Sequence, residues 1–161
     1  MKHLILFLIV GLLPALAVAS PTNKLPNGML REYSFYSIKD VNDYVNSYPY
    51  KYDKDLYGRD YLATAKEFFE NGGGDCEDYA VAKAALILGL DIAQPDEVEL
   101  WVLYKVPESL HAVLAVKAGD NEYFVLDNAN DSIERVKKYS IYRGYILLES
   151  YSYSRGVPQN P

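Results

Sequence analysis

The sequence predicts an α+β domain, with helices in its first half and a mainly antiparallel sheet in its second. Three observations predict it. Apolar residues recur at helical spacing between Ser37 and Leu88. Beyond Pro95 they give way to short runs rich in β-branched, aliphatic and aromatic residues. Gly119-Asp120-Asn121 then stands between two such runs as a hairpin turn. Helices first and strands afterwards is the order of an α+β fold.

The elements follow in order. Ile38, Val41, Val45 and Tyr48 share one helical face, and Ser37-x-x-Asp40 supplies a cap at its start. Tyr48 to Arg59 is rich in Tyr, Asp, Lys, Pro and Gly and reads as a loop. Leu62 to Asn71 reads as a short helix, stopped by Gly72-Gly73-Gly74. A further helix starts at Asp75 or Cys76. Ala80, Val81, Ala84, Ala85 and Leu88 form its apolar face, and Gly89 is the C-cap candidate. So many alanines predict a central, closely packed helix. The strands are expected at Val98–Tyr104, Ala112–Val116, Glu122–Leu126 and Tyr145–Leu148.

The N-terminus has the pattern of a secretory signal peptide over residues 1–19. Met1-Lys2-His3 precedes an apolar run from Leu4 to Leu13, and small residues stand at Ala17 and Ala19. The run is shorter than the roughly 20 residues of a spanning helix. The expectation is cleavage after Ala19, no stable membrane insertion afterwards, and a periplasmic or secreted protein. Residues 20–36 read as a lead-in, 37–150 as one domain and 151–161 as a tail. A chain of 161 residues can bury a core without disulfides. Its net charge of −6 argues against nucleic acid as a partner. The sixteen tyrosines read chiefly as amphipathic packing.

Beyond residue 19 there is one cysteine, Cys76, and one histidine, His111. A lone thiol in an exported protein makes no internal disulfide, so another role is needed. Cys76 stands at a helix start, where backbone N–H groups and the dipole favour the thiolate. Its own N–H could serve as half of an oxyanion hole, with Asn71 and the tyrosines as candidates for the other half. His111 opens a predicted strand and Asp127 closes the next. Both are equally distant in sequence from Gly119, so a hairpin turning there places them opposite one another. Cys76, His111 and Asp127 are therefore candidates for nucleophile, base and orienter. One Cys and one His are too few for a zinc site. Asp75, Glu77 and Asp78 surround the thiol and oppose its ionisation. Carboxylates so grouped suit a hard cation, calcium above all.

These motifs resemble the bacterial transglutaminase-like cysteine proteinases over about Asn42 to Ser150. The most specific piece is Gly74-Asp75-Cys76-Glu77-Asp78-Tyr79-Ala80 with Lys83 after it. Tyr52, Asp53, Asp60-Tyr61 and Glu67 upstream, and His111-Ala112-Val113-Leu114 and Leu126-Asp127-Asn128 downstream, fit as well. Tyr61-Leu62 stands where that family commonly has a Trp. The resemblance implies a papain-like or transglutaminase-like fold and Cys76, His111 and Asp127 as the triad. Characterised relatives are periplasmic, calcium-dependent proteases that cut large surface adhesins, with calcium ligands matching Asp75 and Glu77. They answer to a membrane-bound receptor. The leading expectation is thus an exported cysteine endopeptidase acting on a protein. The alternatives are a transglutaminase, in which an amine replaces water, and a non-catalytic binding module.

Overall fold

The computed structural model describes residues 37–107 and 109–155. The expected signal peptide, the whole lead-in 20–36 and the end of the tail lie outside them. The element order is α1 (Ile38–Asn46), α2 (Asp53–Leu56), α3 (Ala65–Asn71) and α4 (Cys76–Gly89), then β1 (Val98–Lys105), β2 (Ser109–Gly119), β3 (Glu122–Leu126), β4 (Glu134–Lys137) and β5 (Ile146–Ser152). The strands form one antiparallel sheet in the order β4-β3-β2-β1-β5. The α+β expectation holds.

The caps set the helices. Ser37 Oγ accepts the Asp40 N–H at 3.3 Å, and α1 buries Val41 and Val45 completely. Thr64 and Glu67 exchange backbone bonds at 3.2 and 2.8 Å in a capping box, so α3 starts three residues later than Leu62. The stretch expected to be all loop contains α2, a single turn headed by the buried Asp53. α4 is buried nearly all round, as its alanines predict. Ala82, Ala84, Leu86 and Ile87 are at most fractionally exposed, and α1, α3 and the sheet pack on it. Leu86→Ala would cost roughly 2–5 kcal/mol there.

The sheet is apolar on both faces. Leu100, Leu114, Val116 and Leu126 pack toward α4. Trp101, Leu103, Val113, Ala115 and Val125 pack on the other side, closed by Tyr142. On that second face Glu99 is buried but satisfied, accepting from Trp101 Nε1 at 2.7 Å, Tyr123 at 3.1 Å and Lys138 at 2.6 Å. β2 begins at Ser109, so His111 is its third residue and does not open it. β5 runs to Ser152, beyond the run Tyr145–Leu148. β4 was not expected: Glu134-Arg135-Val136-Lys137 carries a single apolar residue and is held by pairing to β3.

Candidate active site

The chain enters α4 through three glycines, of which Gly73 and Gly74 leave no room for a side chain. Gly72 and Gly73 have φ of +66° and +131°. A Cβ on Gly73 would lie 2.1 Å from the Pro49 carbonyl oxygen, and one on Gly74 would lie 2.4 Å from Asp78 Oδ2. The Lys51 N–H bonds the Gly74 carbonyl at 2.9 Å and fixes the approach. Gly73→Ala is therefore expected to destabilise the fold by roughly 2–3 kcal/mol and to displace Cys76. Urea unfolding together with Cys76 alkylation checks this, and a variant matching the parent in both contradicts it.

Cys76 is the first residue of α4 and half-buried. Its thiol donates to Glu77 Oε2 at 3.1 Å and accepts the Ala112 N–H from β2. Burial pushes the thiol well above its ordinary pKa. The charge and hydrogen bond of Glu77, and the charge of Asp75, push the same way, while the Ala112 N–H opposes them. Burial and the carboxylates together outweigh the Ala112 N–H.

His111 Nε2 and Asp127 Oδ1 are 2.7 Å apart. Asp127 is 3 % exposed and fully engaged. Its Oδ1 also accepts the Ala129 N–H at 2.9 Å, and its Oδ2 accepts the Tyr142 hydroxyl at 3.1 Å. Burial alone would raise its pKa. The bond to His111 and that residue's charge, with Ala129 and Tyr142, reverse this and hold the carboxyl below its ordinary value. The imidazole thus keeps Nδ1 free of Asp127. Cys76, His111 and Asp127 line one open cavity of about 740 Å³, with Tyr50, Tyr52 and Leu110 on its walls.

The expected route to this pairing needs correction. Leu114 pairs with Leu126 and Lys117 with Tyr123, whereas Gly119 pairs with Glu122. An extra residue in β2 shifts the register near the turn, and Asn121 takes a φ of +57° there. Extending the ladder puts Asp127 level with Val113, so His111 and Asp127 meet diagonally, two residues out of step. The Asn71 side-chain amide donates one of its two hydrogens to the Tyr57 hydroxyl at 2.6 Å.

The three acids beside the thiol do not form one ligand set. Asp75, Cys76 and Glu77 make one group, and Asp53, Asp75 and Asp78 another, each with ligand atoms within 4.8 Å of one another. Asp78 is largely committed to structure. Its Oδ1 accepts the Ala63 N–H at 2.8 Å, and its Oδ2 accepts the Asp75 N–H at 3.4 Å. Asp53 Oδ1 and Asp75 Oδ1 are buried without a hydrogen-bond partner among the described residues. Burial, then the bond and charge of Glu77, push Asp75 up to about 9. Burial and the charges of Asp53 and Glu77 push Asp78 up to about 7, against the Ala63 N–H. Two orphaned carboxylate oxygens in such a cluster fit a calcium ion. Asp53 as a member of this cluster, and Tyr142 as a support of Asp127, were missed by sequence reading. Asp53 stood only among the residues of the resemblance, and no local pattern marks Tyr142.

A cysteine at the head of a helix, packed on an antiparallel sheet that carries a His–Asp pair, defines a transglutaminase-like cysteine enzyme fold. The chain belongs to the bacterial transglutaminase-like cysteine proteinase family, whose profile matches residues 19–155. Among solved structures it is similar to Legionella pneumophila LapG. The alignment has 24 % identity and a TM-score of 0.61, covering 71 % of this chain and 63 % of that one. The calcium-bound form of that protein matches at 25 % identity, with the same coverage and TM-score. Its EGTA-treated form matches at 25 % identity and a TM-score of 0.61, covering 71 % of this chain and 61 % of that one. The chain thus spans about three-fifths of the length of the structures it matches. No curated protein matches it. Among the described residues no helix is long and apolar enough to cross a membrane.

Proposed function

We propose that the chain is an exported cysteine endopeptidase with Cys76 as nucleophile, His111 as general base and acid, and Asp127 as orienter. The observation that carries this reading is the 2.7 Å His111–Asp127 bond in the cavity that also holds Cys76. His111 Nδ1 takes the thiol proton, and the thiolate attacks the peptide carbonyl carbon. The Cys76 N–H faces the developing oxyanion. His111 then protonates the departing amine, leaving a thioester on Cys76. Water, deprotonated by the same imidazole, hydrolyses it and restores the thiol. Asp127 holds Nε2–H throughout and favours the imidazolium.

In this reading Asp75 and Glu77, backed by Asp53 and Asp78, would hold calcium. When bound, the ion supplies positive charge that offsets the carboxylates beside the thiol. The resemblance supports export through the signal peptide to the periplasm or beyond. It also supports a surface adhesin as substrate and a membrane-bound receptor as regulator.

The test uses surface proteins of the producing cell as substrate, with calcium present. New fragments are expected with the parent protein and none with Cys76→Ala. Equal cleavage by that variant would end the proposal. Incorporation of a labelled amine into Gln-containing proteins, without fragments, would move the assignment to transglutaminase.

A further inference from the structure

The segment that carries Asp127 is held from two sides. From α1, Asn46 Nδ2 donates to the Asp127 carbonyl at 2.9 Å and to Asp131 Oδ1 at 3.1 Å. Asn42 Nδ2 donates to the Asp131 carbonyl at 3.3 Å. From α4 comes Lys83, which is completely buried. Its ammonium lies 5.9 Å from the Tyr79 ring centroid, one turn nearer Cys76, and feels the charges of Asp127 and Asp131.

Lys83 Nζ has no hydrogen-bond partner among the described residues, and neither do the buried Asn42 Oδ1, Asn46 Oδ1 and Asn128 Oδ1. An ammonium offers three donors and no acceptor. The three orphaned amide oxygens belong to Asn128 in the 127–131 segment and to the two α1 residues that clamp it. A buried lysine with nothing to bind is costly in a stretch of helix whose neighbours, Ala80 to Ala82 and Ala84 to Leu88, are all apolar. Burial pulls its pKa down to about 7, and the two aspartates pull it back.

We propose that Lys83 is a positioning residue for the catalytic pair. Its ammonium is joined through bridging water to the amide oxygens of Asn42, Asn46 and Asn128, and so anchors the 127–131 segment that aims Asp127 at His111. Tyr142 and Ala129 fix the carboxylate itself. Lys83 fixes the backbone it hangs from. The proposal gives the peptidase reading a structural support, but its main readout does not need peptidase activity.

The test is Lys83→Met in the full chain, which keeps the side-chain volume and removes the donors. Leu86→Ala, buried on the same helix, is the control for simple loss of stability. Proton NMR follows the low-field Nε2–H resonance of His111, identified by its absence from His111→Ala. Lys83→Met is expected to broaden it or move it upfield while Leu86→Ala leaves it in place. Alkylation of Cys76 by iodoacetamide should slow roughly ten- to a hundredfold in Lys83→Met alone. If Lys83→Met does not fold, Asn46→Ala takes its place, with the same resonance expected to shift. An unchanged resonance in whichever variant folds overturns the proposal, as does an equal change in Leu86→Ala. A parent Cys76 no more reactive than a free thiol would count against the peptidase reading and leave the imidazole result standing.

Discussion

Asp127→Asn is expected to slow peptide hydrolysis by roughly 10³- to 10⁴-fold while leaving the fold intact. The reason lies in the hydrogen bonds around the carboxylate. Asp127 accepts from His111 Nε2, the Ala129 N–H and the Tyr142 hydroxyl. An asparagine has one accepting oxygen and one donating amide. An oxygen left in the place of Oδ1 keeps both Nε2 and Ala129 and turns the amide onto the Tyr142 hydroxyl, whereas an oxygen in the place of Oδ2 keeps Tyr142 and turns the amide onto Nε2 and the Ala129 N–H. An amide donor at Nε2 forces the imidazole proton onto Nδ1, which then cannot take a proton from the thiol. His111→Ala removes the base outright and should be at least as severe. Both variants keep Cys76, so iodoacetamide labelling separates loss of activation from loss of the nucleophile. A rate within twofold of the parent in Asp127→Asn would remove Asp127 from the mechanism.

Chelation is expected to slow Cys76 alkylation by about tenfold or more at neutral pH, with calcium restoring it. Glu77 accepts the thiol hydrogen, and burial together with the acid cluster holds the thiol protonated. The same cluster predicts a pH signature in stability. Asp78 and Asp75 have pKa values pushed up to about 7 and about 9, above their unfolded values. A carboxyl raised in the folded state favours folding only while protonated. Its contribution is whole below about pH 4, where the unfolded chain titrates, and is lost as pH rises through the folded values. The chelated protein should therefore lose roughly 2–4 kcal/mol between pH 5 and pH 9, a range that discounts Asp75 for partial exposure. With calcium, which binds the ionised carboxylates, stability should hold or rise over that range. Urea midpoints at the two pH values, with EGTA and with calcium, measure it. Equal midpoints in all four conditions would dismiss the cluster as a calcium site.

Much of the fold was legible because its signals are local. Ser37 and Thr64 are side-chain caps, three glycines end one helix and begin the next, and alternating aliphatics mark β1 and β2. β4 was invisible, since four mostly polar residues become a strand only against β3. The site was legible to a similar depth. Cys76, His111 and Asp127 were named from the chain, yet the pairing argument behind two of them assumed a symmetric turn. The extra β2 residue breaks that symmetry, and the long imidazole reaches the diagonal neighbour instead.

The order of helices and strands, the thiol at a helix start and the acids around it are properties of contiguous residues. They could be read because caps, glycines and periodicity act over a few positions. Which acids share a cation-sized space, which hydroxyl steadies Asp127 and what lies beneath its loop depend on residues far apart in the chain. Asp53 meets Asp75 and Asp78 through the turn of α2, Tyr142 reaches Asp127 from the far face of the sheet, and Lys83 approaches from inside α4. Only packing brings these groups together. Their burial then sets the charges the site holds, because an ionised group in the interior is stable only beside the partners the fold supplies.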